Sequence, residues 1–123
     1  MKNNIDIDVD VRFIQDQSHP DHHQFTFSYT ITITNNGSVG AQLLTRRWLI
    51  QDETGRLEEV VGEGVVGQQP HLHPGESYQY TSGSVIKTAT GTMKGAYGMI
   101  NDDGERFEAE IAEFVLSEPY TLH

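Results

Sequence analysis

The fold class predicted is all-β: an antiparallel β-sandwich of about seven strands. Three observations predict it. Apolar and polar residues alternate with period two through several long segments, the pattern of a strand that lays one face on a core. Turn sequences rich in Gly, Asn and Asp separate those segments. No stretch carries the 3.6-residue apolar spacing of an amphipathic helix.

The first segment, NIDIDVDVRF at residues 4–13, places Ile5, Ile7, Val9, Val11 and Phe13 on one face. Asp6, Asp8, Asp10 and Arg12 fall on the other. QFTFSYTITIT at 24–34 repeats the alternation and predicts Phe25, Phe27, Tyr29, Ile31 and Ile33 as core, in the β-branched and aromatic composition that strands favour. NNGSVG at 35–40 then breaks the run. The third strand, AQLLTRRWLIQD at 41–52, has two competing registers. Leu44, Trp48 and Ile50 share a face with Arg46, and Leu43 and Leu49 share the other with Arg47. With Trp48 in the core, Arg46 must snorkel, pair or sit at a sheet edge.

DETG at 52–55 is a turn, and RLEEVVGEGVVG at 56–67 is read as a fourth, irregular strand. ESYQYTSG, GTMKGAYGMIND and ERFEAEIAEFVL supply the fifth, sixth and seventh. In the last, Phe107, Ala109 and Ile111 alternate, and then Phe114 and Leu116 change parity. That predicts a β-bulge near Ala112–Glu113. QDQSHPDHHQ at 15–24 and SGSVIKTAT at 82–90 are expected to be irregular.

A length of 123 residues predicts one domain over residues 1–123. Such a chain buries roughly 65% of its unfolded surface, enough to fold without a metal or disulfide staple. It has no Cys, which fits a reducing cytoplasm. The N-terminus has no apolar core of a secretory leader, and no apolar run is long enough for a membrane-spanning helix. Eight basic residues against 18 acidic ones give a net charge of −10. That field opposes nucleic acid and anionic lipid and tolerates cations and basic protein surfaces. Neither nucleic acid nor a membrane is therefore expected as a partner.

Residues 62–67, GEGVVG, have the G-x-G-x-x-G spacing of a dinucleotide-binding turn. That motif works only where a strand feeds a helix whose N-terminus faces the pyrophosphate. Here Pro70 and Pro74 follow at once and stop any helix. Gly62, Gly64 and Gly67 are read first as glycines of a bent strand or turn, with an anion-cradling nest for a nucleotide or pyrophosphate as the alternative. His71 and His73 flank Leu72, so in extended chain both rings point to one side about 7 Å apart. They are a candidate pair for a weakly held divalent metal such as cobalt, although a firm site needs a third and fourth ligand. His19, Asp21, His22 and His23 form a second cluster. No Cys nucleophile, G-x-S-x-G elbow or H-E-x-x-H helix is present, so no catalytic residue is assigned and no cofactor is expected.

QLLTRRWLIQDETG, VVGEGVVGQQPHLHPGESYQYTSG and GTMKGAYGMINDDGERFEAEIAEFVL resemble the ApaG family, also called CorD, and the similarity runs from about Ile7 to Pro119. The resemblance implies an immunoglobulin-like or fibronectin type III-like sandwich. It implies a bacterial cytoplasmic protein linked genetically to cobalt and magnesium tolerance, whose gene often neighbours that of a diadenosine tetraphosphate hydrolase. The related domains appended to a eukaryotic F-box protein and to a polymerase-interacting protein imply a role as an interaction module. No settled catalytic activity comes with the family. Gln68 stands where many members carry Glu, and Ala112 where many carry Pro. The expected function is thus a non-catalytic binding module for another protein. The alternative is a small-ligand binder, for a metal at His71 and His73 or a nucleotide at the glycine-rich loop.

Overall fold

In a computed structural model that describes residues 1–119, the alternating segments become eight strands. They are β1 (Ile5–Phe13), β2 (Phe25–Asn35), β3 (Ala41–Asp52), β4 (Leu57–Glu63), β5 (His71–Leu72), β6 (Ser77–Ile86), β7 (Thr90–Asn101) and β8 (Arg106–Ser117). One sheet has the order β1-β2-β6. The other has the order β4-β3-β7-β8, with β5 also paired to β3. Every pairing is antiparallel. Two antiparallel sheets closed over one core make a β-sandwich of the immunoglobulin-like, fibronectin type III-like kind.

The core follows the period-two pattern. Phe25, Phe27, Tyr29, Ile31 and Ile33 are all buried, as expected, while Thr30 and Thr32 face outward and are half-buried. β1 keeps its aspartates exposed and its apolar face half-buried. From the opposite sheet, Trp48 packs against Tyr29, Tyr97 and Phe114, with ring centroids 5.5, 6.4 and 5.9 Å away. At the centre the hydroxyls of Tyr80 and Tyr97 hydrogen-bond to each other. Two buried amides are satisfied as well. Asn35 donates to the carbonyls of Val39 and Leu72, and Asn101 accepts from the amides of Asp103 and Glu105. Paired in this way, they avoid the desolvation cost of an orphaned polar group.

Bulges settle the ambiguous register of β3 and account for the parity change in β8. In β3, Leu43 pairs with Met99 but Thr45 pairs with Gly98, so Leu44 is an extra residue. The inserted residue switches parity. Ala41 and Leu43 point inward before it, and Trp48 and Ile50 point inward after it. In β8, Met93 pairs with Phe114 and Gly95 with Ile111, which places the expected bulge at Ala112–Glu113.

The seven expected strands are present, and His71–Leu72 adds a short rung on β3. Two expectations need correction. The fourth strand ends at Glu63 rather than running to Gly67, because left-handed backbone follows it. Residues 82–86, expected to be irregular, continue β6, because Val85 and Ile86 stay in register with Thr26 and Phe25. The 15–24 loop is irregular as expected, with single 3-10 turns at Gln15–Gln17 and Pro20–His22.

Candidate functional site

The glycine-rich segment is a detour in an edge strand. β4 and β5 run along the same side of β3, and the chain between them loops out opposite the Leu44 bulge. The Leu44 carbonyl accepts both the Gly64 amide, at 2.9 Å, and the Gln69 side-chain amide, at 3.0 Å. Val65 and Gln68 then exchange two backbone hydrogen bonds, at 2.8 and 3.0 Å. The two residues between them, Val66 and Gly67, both have positive φ, at 48° and 76°. Positive φ at both central positions is the requirement of a type I′ hairpin turn.

Each glycine has its own reason. A Cβ at Gly62 would lie 2.7 Å from the Arg46 guanidinium, which crosses the strand there and donates to the carbonyls of Glu63 and Gly64 at 2.9 and 3.0 Å. A Cβ at Gly64 would run into the Gln68 carbonyl on a backbone already at φ 65°. Gly67 faces open space and is needed for its φ alone. No helix follows the segment. The amides of Gly64, Val65 and Gln68 are bonded within the protein, which leaves those of Val66 and Gly67. The nearby cations are engaged too: Arg46 on the two carbonyls, and Arg47 on Glu59 at 2.8 Å.

His71 and His73 do come together. Their rings meet edge to face with centroids 4.8 Å apart. The residue that sequence spacing did not reveal is Asp102, in the β7–β8 turn. Its Oδ1 lies 2.8 Å from His71 Nε2. Gly40 makes room for this contact, since a Cβ there would strike the Asp102 carboxylate and come 3.0 Å from the His71 ring. Among the described residues no carboxylate pairs with the His73 ring, although its backbone amide donates to Glu76. Among the described residues no three His, Cys, Asp or Glu side chains are arranged to hold a metal ion. His19, His22 and His23 stay exposed, in the β1–β2 loop at the other end of the strands.

The surface beside the turn is unusual in another way. β4 is an edge strand, paired only to β3 among the described residues. Val60 packs toward the core, but Leu57 and Val61 face out, 60% and 68% exposed. Val66, at the tip of the turn, is 62% exposed. Lys and Pro, the usual protections of an edge, are absent from β4; it carries Glu58, Glu59 and Glu63 instead.

Comparison with known proteins places this geometry in a family. A family model described as the ApaG domain matches residues 15–101. The chain belongs to the ApaG domain family. Protein ApaG of Pseudomonas putida is 54% identical over 119 residues, covering 97% of this chain and 94% of that protein. Protein ApaG of Dechloromonas aromatica is 54% identical over 122 residues, covering 99% and 96%. A Bordetella pertussis crystal structure described as an ApaA protein superposes with a TM-score of 0.94 at 46% identity, covering 97% of each chain. Within this ApaG domain, Gln68 closes the hairpin through its backbone amide and carbonyl. No helix among the described residues is long and apolar enough to cross a membrane.

Proposed function

We propose that this ApaG domain is a non-catalytic protein-binding module, working in the cytoplasm, that takes an extended, basic segment of another protein onto the β4 edge. One observation carries the reading: Val66. A β-branched residue at positive φ is a true conformational outlier, costing about 1–2 kcal/mol relative to a residue that tolerates that region. Asn-Gly is the favoured pair for such a turn. Here Val-Gly stands in its place, with the valine side chain projecting into solvent. Strain kept at an exposed apolar residue points to a contact made outside the chain.

Leu57 and Val61 continue the apolar strip along an edge whose outer backbone groups are open to an added strand. Glu58 and Glu63 select the partner, Glu59 being paired with Arg47. Two copies of this edge would set like charges against each other, whereas a Lys- or Arg-bearing segment complements them. A module of this kind bears on cobalt and magnesium tolerance indirectly, by holding a transporter or its regulator.

The test is quantitative affinity capture with the wild-type chain and the Leu57→Lys/Val61→Lys variant, with and without divalent metal. The expected result is a protein retained by the wild type, lost by the variant, and bound directly when purified. Identical capture by both chains overturns the reading. A second reading, weak divalent-metal binding at His71 and His73, is favoured by their ring contact and by Asp102 behind His71. A nucleotide at Gly62, Gly64 and Gly67 is left with the two unbonded turn amides as its donors.

A further inference from the structure

A large hollow lies away from the glycine-rich turn, where the β1–β2, β3–β4 and β6–β7 loops meet at one end of the sandwich. It is a cleft of about 720 Å³, inside the range of roughly 300–1,000 Å³ that small-molecule sites occupy. Val85 and Ile86, at the end of β6, form its apolar floor. Arg56, Lys87, His22 and His23 stand among its polar walls. A smaller extension of about 130 Å³ shares that floor and reaches inward to Ile50 and Glu58.

Charge is the informative feature. The protein carries −10 overall, yet two of its eight basic side chains converge here, and neither forms an ion pair among the described residues. One carboxylate lines the cleft itself, that of Asp52. Its Oδ1 is turned into its own loop, accepting from the Thr54 amide and hydroxyl at 2.9 and 2.6 Å and from the Arg56 amide at 3.1 Å. Arg56 and Lys87 thus line the cleft outside any ion pair, with Asp52 near enough to Arg56 for its carboxyl, lowered first by the Thr54 hydroxyl, to be held below its ordinary value in part by that charge. His23, one of two non-glycine residues with positive φ among the described residues, caps the Pro20–His22 turn and so sits on the rim.

We propose that this cleft binds a small organic anion, a phosphate monoester or carboxylate carried on an apolar body. Arg56 and Lys87 hold the charged head, and Val85 and Ile86 lie against the body. Arg56 supplies a planar fork of N–H donors suited to either anion, and Lys87 a mobile point charge. The site is separate from the β4 edge proposed for a protein partner and stands or falls independently of it.

The experiment is an amide-detected NMR titration of the full chain with three probes: 1-naphthyl phosphate, uncharged 1-naphthol and inorganic phosphate. The expected result is saturable shifts at residues 22–24, 54–56 and 85–88 with 1-naphthyl phosphate, and at least tenfold weaker binding of the other two. Arg56→Gln/Lys87→Gln should weaken 1-naphthyl phosphate at least tenfold. Both side chains are exposed, so the variant's unchanged spectrum elsewhere reports an intact fold. Equal binding of 1-naphthol, shifts centred on residues 62–68, or a double variant that binds as tightly as the wild type overturns the proposal.

Discussion

At the scale of single residues, side chains and their absence can be weighed against one another. Ile31 is fully buried in the middle of β2. Ile31→Ala should cost about 2–5 kcal/mol, from lost transfer energy and the cavity left behind, measured by urea unfolding. The turn glycines should separate by mechanism. Gly67→Ala, with open space around it, should cost only the left-handed penalty of about 1–2 kcal/mol. Gly64→Ala should cost more, because its Cβ meets a backbone carbonyl that cannot swing away. Equal costs would refute the structural account of these two positions. Val66→Asn should do the opposite and stabilise the fold by about 1 kcal/mol, while weakening partner capture. For the histidines, cobalt should bind no tighter than micromolar, because two imidazoles leave the coordination sphere incomplete. When His71 Nε2 carries its proton toward Asp102, Nδ1 remains the ligating atom. His71→Ala/His73→Ala should abolish that binding and His22→Ala/His23→Ala should leave it intact. A submicromolar site in calorimetry would instead raise metal binding to the main function.

At the scale of elements, legibility followed the strength of the local pattern. β2 could be read residue by residue, because five apolar positions alternate without a fault and the strand is central in its sheet. The β8 bulge was legible from a parity change alone. The β3 bulge was not, because Leu43, Leu44 and Leu49 are all apolar, so either register buries leucine. What decides between them is the pairing with β7, which lies far along the chain. β5 is only two residues long and owes its existence to β3, so no local period could mark it. The end of β4 depends on backbone dihedrals, to which composition is blind. The same logic divides the sites. His71 and His73 are neighbours in sequence and were visible as a pair, whereas Asp102 and the cleft between three loops are products of topology. For β4 itself, Leu57→Lys/Val61→Lys removes no core contact, and its stability should stay within about 0.5 kcal/mol of the wild type. A large loss would mean that this strip is part of the fold rather than a docking surface.

At the scale of the whole molecule, the sandwich sorts its chemistry by depth. The carboxylates that dominate its charge face water, while the two ionisable groups with the largest displacements lie inside. Burial pushes the Tyr80 phenol up to about 12 from an ordinary 10.0, against the opposing effect of its hydrogen bond with Tyr97. Burial also raises Tyr97, and its neighbour Tyr80 adds to the shift. The sign of the linkage follows. Below the unfolded value both phenols are neutral whether the chain is folded or not, and their contribution to stability is complete. Above it the unfolded chain ionises while the folded core does not, so stability falls as pH rises from about 10 toward about 12. Urea midpoints should therefore change little from about pH 8 to about pH 10 and then drop steeply. The discriminating comparison is Tyr80→Phe/Tyr97→Phe. Removing both hydroxyls leaves neither partner orphaned, which keeps the neutral-pH cost small. The variant should lose the steep part of the alkaline drop. A variant that falls as steeply as the wild type, or a wild type whose near-ultraviolet absorbance shows all its tyrosines ionising together near pH 10 while still folded, would remove the buried pair from the account of stability.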